Sequence, residues 1–211
     1  MRPLLHIKDL VTDFLFPKSR KVLELEALSP ETLLKTLPRA ERLTDKNIIA
    51  LFDYSHPLVK EIVWELKYGG STKIADKFGE IIYDVIRHEL NEKIILIPIP
   101  ISDKRRFERG WNQSELLAQA VKSRDSEKMF KYLPRQLAKL RHTESQTKTG
   151  SRSERLRNLT DSMKVLNPAS VSGASIIVLD DVITTGSTFA EARRALRAAG
   201  AKKILCIAVA H

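Results

Sequence analysis

The sequence has a single cysteine, Cys206, among its 211 residues, and only 8 glycines and 9 prolines. A disulfide needs two thiols, and zinc ribbons are built from paired cysteines, so both are excluded within this chain and no structural metal is expected. The low glycine and proline contents exclude collagen-like and low-complexity classes. With 43% hydrophobic and 29% charged residues, the composition is that of a globular protein with a buried core.

Long hydrophobic runs are also missing. The longest uncharged stretch, 165–179, contains Asn167, Pro168 and Gly173, so it does not predict a membrane span. Charged side chains interrupt the first fifteen positions and leave no room for the apolar centre of a signal peptide. We therefore expect a cytoplasmic protein.

Positive charge is concentrated in one part of the chain. Thirty-six Lys and Arg residues against 26 Asp and Glu residues give a net charge of +10. Residues 101–160 contain 15 basic and 7 acidic residues, a surplus of eight. This surplus favours an anionic partner, either a phosphorylated small molecule or a nucleic acid such as single-stranded DNA. A basic surface without a partner would have the same composition, so this alternative stays open.

The hydrophobic pattern predicts an appendage over 1–47, metal-free and of unknown role, and one α/β domain over 48–211. In the domain, apolar strands alternate with amphipathic helices, which is typical of a parallel sheet covered on both faces. The predicted strands are 48–54, 93–99, 175–179 and 203–210. The predicted helices are one starting at Ser29-Pro30, 56–67, one after the cap Ser71, 112–121 and 188–199. Two charged segments, 103–109 and 141–158, predict loops, the second of them long and mobile.

The most informative segment is 176–188, Ile-Ile-Val-Leu-Asp-Asp-Val-Ile-Thr-Thr-Gly-Ser-Thr. A buried strand brings Asp180 and Asp181 to its carboxyl end, where α/β sheets bind their ligands. The turn over 184–188 is rich in hydroxyl groups, and Gly186 lets the backbone approach an anion. The next helix, with Thr188 and Glu191 spaced as a capping box, directs its free N–H groups at this turn. These features predict a phosphate site.

Two carboxylates beside a phosphate need a different partner, and sugar hydroxyls or a divalent cation fit this need. A sugar phosphate is therefore the expected ligand. The alternative, in which Asp180 and Asp181 only cap a turn, accounts less well for the hydroxyl-rich turn that follows. A nucleoside triphosphatase is not favoured, because Tyr68-Gly69-Gly70-Ser71-Thr72-Lys73 has the wrong order for a phosphate-binding loop.

The thirteen residues 176–188 resemble the phosphoribosyl pyrophosphate signature of type I phosphoribosyltransferases. A larger part of the chain, about 50–211, resembles the ComF family of competence-associated proteins that are similar to these enzymes. The matching pieces are Leu66-Lys67-Tyr68-Gly69, Ile97-Pro98-Ile99-Pro100, the block 105–118 that contains Arg-Gly-Trp-Asn-Gln, and the spaced residues Arg141, Thr143, Gln146, Arg155 and Asn158. The Arg-Gly-Trp-Asn-Gln block is specific to the branch, whereas the signature marks only the superfamily.

The resemblance implies that a phosphoribosyl group is transferred from phosphoribosyl pyrophosphate to a nitrogenous acceptor, with release of pyrophosphate. It implies that Asp180 and Asp181 contact the ribose hydroxyls directly or through Mg²⁺, which water molecules could bridge to the two carboxylates. The implied 5′-phosphate loop consists of Thr184, Thr185, Gly186, Ser187 and Thr188. The implied pyrophosphate loop consists of Ser102, Asp103, Lys104 and Arg105. The implied hood over the site and its neighbours are Lys67, Arg109, Arg141, Gln146 and Arg155.

Members of the ComF family usually carry an amino-terminal zinc ribbon, and this sequence lacks the cysteines for one. Two other functions stay open: a nucleic-acid-binding competence factor that keeps the pocket as a structural or regulatory site, and a sensor of phosphoribosyl pyrophosphate. A homodimer is also left open. For single residues, we predict that Trp64 lies in the core, that Trp111 fastens the basic loop rather than stacking on a base, and that Cys206 is a buried inert thiol. Lys67 is equally well explained as a solvated helix end or as a substrate contact.

Overall fold

The computed structural model describes residues 20–87, 92–140 and 162–211. Its centre is a sheet of five strands in the order β1-β7-β6-β2-β3, and every neighbouring pair is parallel. A separate antiparallel ribbon consists of β4 and β5. The strands are β1 Ile48–Phe52, β2 Ile94–Pro98, β3 Phe130–Tyr132, β4 Leu137–Lys139, β5 Met163–Val165, β6 Ser175–Val182 and β7 Lys203–Ala210.

Helices cover both faces of the sheet. They are α1 Arg20–Ala27, α2 Pro30–Thr36, α3 Pro57–Trp64, a π-helical turn Glu65–Gly69, α4 Thr72–Arg87, α5 Asp103–Arg109, α6 Gln113–Ser123, a 3₁₀ turn Pro168–Ser170 and α7 Ser187–Ala198. Alternation along β6 sends Ile177 and Leu179 into the core beneath α3, α4 and α6, and Ile176 and Val178 into the core beneath α7. The predicted α/β class, a parallel sheet flanked by helices, is confirmed.

Residues 20–47 pack against the same core as the sheet. Val22, Leu25, Leu33 and Leu37 are buried in one cluster with Phe52 of β1. Ser29 caps α2 by accepting a hydrogen bond from the Thr32 amide at 3.2 Å, as predicted. The division of the chain into an appendage over 1–47 and a domain over 48–211 stays a prediction. No helix within 20–87, 92–140 or 162–211 has the length and hydrophobicity to cross a membrane.

The structure corrects the prediction of a loop over 103–109, because these residues form α5. None of its residues is buried. The helix needs no apolar face because it has only two turns, which are held by Ser102 at the start and by Gly110 at the end. Ser102 accepts from the Arg105 amide at 3.3 Å, and Gly110 takes the left-handed conformation at φ +79° that glycine tolerates.

The prediction that Trp64 lies in the core was wrong, since its side chain is 55% exposed. On α3 the buried positions are Val59, Ile62 and Val63, and the next residue along a helix points about 100° away from that stripe. The indole packs instead on the exposed ring of Tyr68, with ring centroids 5.4 Å apart.

Candidate functional site

Strand β6 brings two adjacent carboxylates to the carboxyl edge of the sheet, where both are buried. Asp180 Oδ1 accepts hydrogen bonds from Ser114 Oγ at 2.8 Å and from the Asp181 amide at 2.9 Å. Asp181 Oδ1 accepts from Gln113 Nε2 at 3.3 Å. Gln113 and Ser114 form the first turn of α6, which places the start of that helix against the acid pair.

Lys67 supplies the positive charge at this pair. Its Nζ lies 3.0 Å from Asp181 Oδ2, and its side chain is 21% exposed against 3% for the aspartate. Asp181 Oδ2 accepts no hydrogen bond from any described residue, because its contact with Lys67 lacks the angle that a hydrogen bond needs and is an ion pair only. One buried acceptor is therefore left with hydrogen-bonding capacity for a ligand.

Burial and the charge of Asp181 raise the pKa of Asp180 to about 8, and the hydrogen bond from Ser114 acts in the opposite direction. Two adjacent carboxylates cannot both ionise easily in a buried site. Near neutral pH the pair therefore holds a proton in the absence of a cation. A divalent cation or a ring of hydroxyl donors would satisfy it in the ionised form.

The turn after β6 leads directly into α7. Gly186 stands at the N-cap with φ +76°, a left-handed conformation that favours glycine, and Thr184 and Thr185 are exposed. Thr185 Oγ1 lies 3.0 Å from Ser187 Oγ, so the two hydroxyls share a hydrogen bond. The first amides of an α-helix have no partner within the helix. The Ser187 amide donates to Thr185 Oγ1 at 3.5 Å, and the turn as a whole combines N–H groups at a helix start, hydroxyls and a helix dipole, which together suit a phosphate.

The predicted capping box at α7 was wrong. The helix starts at Ser187 with Gly186 as N-cap, so Thr188 lies within the first turn. Glu191 turns towards the ribbon instead, where it accepts a hydrogen bond from the Met163 amide at 3.1 Å. It also pairs with Arg194, with Oε2 and Nε 2.8 Å apart. Glu191, which the sequence spacing predicted as part of the cap, therefore connects α7 to β5.

The Lys-Tyr-Gly-Gly segment forms a π-helical turn that Trp111 clamps. Trp111 Nε1 donates to the Leu66 carbonyl at 3.0 Å, and a Cβ built on Gly70 would lie 2.9 Å from its indole ring. The predicted fastening role of Trp111 is confirmed, although the element that it fastens is the π-helical turn. Such turns often occur at functional sites. Here the turn carries Lys67 to Asp181.

Arg109 connects the same block to the acid pair. Its guanidinium carbon lies 4.8 Å from the centroid of the Tyr68 ring, and its Nη1 donates to Gln113 Oε1 at 3.3 Å. Gln113 in turn donates to Asp181. The Arg-Gly-Trp-Asn-Gln block thus orders both the aromatic surface around Tyr68 and one carboxylate of the site.

The segment predicted to face pyrophosphate begins α5. Ser102 is its N-cap, and Asp103, Lys104 and Arg105 are exposed. The next residue, Arg106, is paired with Glu115 through two guanidinium–carboxylate contacts. Lys104 and Arg105 therefore present charge to solvent.

Sequence reasoning missed three polar residues of the site, Gln113, Ser114 and Lys139. Lys139 ends β4, and its pKa is lowered by burial and then by the charge of Arg105, while the charge of Asp180 acts in the opposite direction. The charge of Lys139 interacts with that of Asp180 only because the ribbon folds against the sheet, and no local sequence motif predicts this interaction. The hood residues Arg141, Gln146 and Arg155 lie outside the described residues.

Comparison with known proteins agrees with this geometry. A family model described as the phosphoribosyl transferase domain matches residues 126–211. The DNA utilization protein YhgH of Escherichia coli strain K12 is 29% identical over 170 residues, in an alignment that covers 75% of this chain and 69% of that protein. The competence protein ComFC of Bacillus subtilis is 29% identical over 140 residues, covering 66% of this chain and 53% of that protein. The resemblance to the ComF family is confirmed.

The competence protein F of Haemophilus influenzae gives a similar match, 28% identical over 166 residues, covering 76% of this chain and 70% of that protein. Among solved structures, an allosteric regulatory enzyme of purine biosynthesis is 16% identical with a TM-score of 0.43, covering 70% of this chain and 30% of that one. A hypoxanthine phosphoribosyl transferase of Trypanosoma cruzi is 13% identical with a TM-score of 0.38, covering 81% and 71%.

Proposed function

We propose that this protein binds phosphoribosyl pyrophosphate with Mg²⁺ and transfers the phosphoribosyl group to a nitrogenous acceptor, releasing pyrophosphate. The observation that carries the proposal is one continuous piece of chain. Asp180 and Asp181 are buried at the end of β6, and the chain continues from them through the turn at Gly186 into the start of α7. The carboxylates that would bind a sugar therefore lie next to the N–H donors that would bind its phosphate.

The turn and the acid pair would divide the substrate between them. The amides at the start of α7 and the hydroxyls of Thr185 and Ser187 suit the 5′-phosphate. Asp181 Oδ2, which makes only an ion pair in the free protein, suits a ribose hydroxyl as donor. These contacts would hold the pentose at both ends, so that the anomeric carbon is fixed for displacement.

The acid pair also fits Mg²⁺. Magnesium prefers oxygen ligands, commonly one or two carboxylates completed by substrate phosphates and water, and Asp180 and Asp181 supply two carboxylates. Because the two charges repel each other in a buried site, a divalent cation would be favoured there over an empty, half-protonated pair. When bound, the ion would offset the charge that develops on the departing pyrophosphate and orient its oxygens.

Lys67 would act as the counter-charge of the empty site. Its ammonium group neutralises Asp181 in the free protein, and its side chain still reaches solvent, so it can move when a cation and a sugar arrive. Lys104 and Arg105 present positive charge beside Ser102, which suits a multiply charged leaving group. The lone cysteine and the absence of disulfides favour a reducing compartment, and we place the protein in the cytoplasm.

Calorimetric titration with phosphoribosyl pyrophosphate and Mg²⁺ tests the proposal without knowledge of the acceptor. We expect saturable binding to the wild type and at least a tenfold weaker affinity for Asp181→Asn, since both the sugar contact and the metal ligand are impaired. Asp76→Asn, at an exposed position on α4, is the matched control and should bind as the wild type does. No heat at millimolar substrate, or equal binding by Asp181→Asn, would refute the assigned site.

A second candidate function is the binding of single-stranded nucleic acid. One observation favours it: three large aromatic side chains are exposed, Phe107 on α5 by 91%, Tyr68 by 52%, and Trp64, which packs on Tyr68, by 55%. Arg109 lies over the Tyr68 ring. Exposed rings interleaved with cations form the kind of surface on which unpaired bases stack. Relatives of this chain carry names that refer to DNA utilization and competence.

This second function predicts that an oligothymidylate binds with an affinity that falls steeply between low and moderate salt, because phosphate contacts release counterions. Trp64→Ala should weaken binding by about tenfold, in line with about 1–3 kcal/mol per stacked base. Asp181→Asn should leave this affinity unchanged, because the carboxylate belongs to the sugar site. Binding that is insensitive to salt and to Trp64 would rule out the stacking surface.

A further inference from the structure

Lys67 lies on the oxygen of Asp181 that a metal ion would need. Asp181 Oδ1 accepts a hydrogen bond from Gln113 Nε2 at 3.3 Å, whereas Oδ2 faces the Lys67 ammonium group at 3.0 Å. The aspartate side chain is only 3% exposed, so its surroundings leave a metal ion little choice of approach. A divalent cation on Asp181 and the charge of Lys67 therefore compete for the same oxygen.

The backbone that carries Lys67 is held on both sides, so this competition involves the lysine side chain alone. Before it in the chain, the Leu66 carbonyl accepts a hydrogen bond from Trp111 Nε1 at 3.0 Å. After it, the buried Ser71 donates from Oγ to Glu26 Oε1 at 2.6 Å. The Lys67 side chain is 21% exposed and carries its charge on a flexible four-carbon stem. Its ammonium group can therefore leave the carboxylate while the turn stays in place.

A bare metal ion is a poor replacement for Lys67. The displaced ammonium group would lose its counter-ion and would lie beside a doubly charged cation. Like charges repel more strongly in a partly buried site than in water, because the effective dielectric constant is lower. A metal ion that comes with an anionic substrate avoids this repulsion, since the metal binds Asp181 and the anion binds Lys67. The exchange therefore favours the two ligands together over the metal alone.

We infer that Lys67 couples the two ligands of the site: it lowers the affinity of Asp181 for a free divalent cation, and it releases the carboxylate when an anionic sugar phosphate is present to bind its ammonium group. The inference rests on the proposed function and adds a specificity-determining residue to it. By linkage, a residue that makes the metal bind better with the substrate also makes the substrate bind better with the metal.

A permanent ion pair between Lys67 and Asp181 makes a different prediction. Its loss would loosen a buried site and weaken the binding of every ligand. Loss of an exchangeable pair removes a competitor of the metal and a partner of the anion, so the affinities for the two ligands change in opposite directions. The sign of the change in metal affinity therefore separates the two accounts.

Metal binding is measured first, without substrate. Mn²⁺ has the same preference for carboxylate and water ligands as Mg²⁺, and its unbound form is read by electron paramagnetic resonance in a titration of the full chain. We expect Lys67→Met to bind Mn²⁺ about tenfold more tightly than the wild type, because the competing charge is gone. Lys67→Arg should bind as the wild type does. Lys60→Met, at an exposed position on α3, is the matched control and should also leave the affinity unchanged.

Substrate binding is then measured on the same variants by calorimetric titration with phosphoribosyl pyrophosphate at saturating Mg²⁺. Lys67→Met should bind the substrate about tenfold more weakly, because one charge-assisted contact to the anion is lost. Lys67→Gln removes the same charge and keeps a polar head at a position that is 21% exposed. It should show the same pair of opposite changes, and it replaces Lys67→Met if that variant fails to fold.

Mn²⁺ binding by the neutral variants that is absent, or no tighter than in the wild type, would overturn the inference. Tighter binding of both ligands would overturn it as well, because Lys67 would then only block the site. If the wild type binds no phosphoribosyl pyrophosphate while Mn²⁺ still binds more tightly to Lys67→Met, the proposed function is wrong and the competition at Asp181 stands. If the substrate binds and the Mn²⁺ affinities are equal, the proposed function stands and the role of Lys67 is refuted.

Discussion

Replacing Asp180 by Asn should stabilise the free protein at alkaline pH. Burial and the neighbouring carboxylate raise the pKa of Asp180 to about 8. In the unfolded chain an aspartate has a pKa of about 3.9. Between these two values the folded state holds a proton that the unfolded state has released, so the stability of the wild type falls as the pH rises.

The size of the effect follows from the same shift. Each pH unit within the window costs about 1.4 kcal/mol, so the loss between pH 5 and pH 8 is about 3.5 kcal/mol once partial ionisation near pH 8 is included. For a chain of this length, 1 kcal/mol corresponds to about 2–4 °C in Tm, so the expected loss is about 7–14 °C. Asn cannot ionise and can still accept from Ser114 Oγ, so Asp180→Asn should lack this component.

The assay is thermal or urea unfolding of wild type, Asp180→Asn and the exposed control Asp76→Asn from pH 5 to pH 8. The difference between Asp180→Asn and wild type should grow in favour of the variant as the pH rises, and the control should show no such trend. Millimolar Mg²⁺ should reduce the difference at pH 8 by stabilising the wild type alone. A difference that is flat across this range, or that favours the wild type at pH 8, would refute the account of the buried acid pair.

Three further predictions concern the surroundings of the site. Lys67→Met should lower the free energy of unfolding by about 2 kcal/mol, which is less than for a fully buried ion pair because Lys67 is partly exposed. Lys67→Arg should retain most of the wild-type stability. Equal stability of the two variants in urea would argue against the ion pair with Asp181. Gly79→Ala normally favours a helix, but here a Cβ would lie 2.4 Å from the Cβ of Ala120, so denaturant unfolding should show a loss of about 1–3 kcal/mol rather than a gain. Burial raises the pKa of Cys206 to about 12, so a thiol reagent should modify it in urea and not in the native protein at pH 8; rapid native modification would contradict its place in the core.

Local patterns were sufficient for much of the fold. The apolar run 175–179, which begins β6, and the strand over 203–210 could be predicted because each is continuous and bounded by a clear stop. The cap at Ser71 was also predictable, and its hydroxyl accepts from the Ile74 amide at 3.2 Å. Hydrogen bonds of this kind join residues three apart, so their signal lies within a few letters of sequence.

The candidate site was predictable only in part, for the same reason. Asp180, Asp181 and the turn to Ser187 are contiguous, and parallel strands bring such a segment to the ligand-binding edge without help from the rest of the chain. The exposure of Trp64 was missed, because it depends on which neighbouring element covers that face of the helix. The helix over 103–109 was missed, because it is held by its two caps and has no buried apolar face that a sequence pattern would show.

By itself, the sequence determined the class of the sheet, the place of the acid pair and the phosphate turn, because these depend on residues that are neighbours along the chain. Only the tertiary structure decided which groups neutralise, orient and surround that pair. Lys67, Ser114 and Lys139 come from three separate elements, and each stands near the carboxylates because whole helices and strands pack there. Packing between distant segments is set by the summed burial of many side chains, and no short motif encodes it.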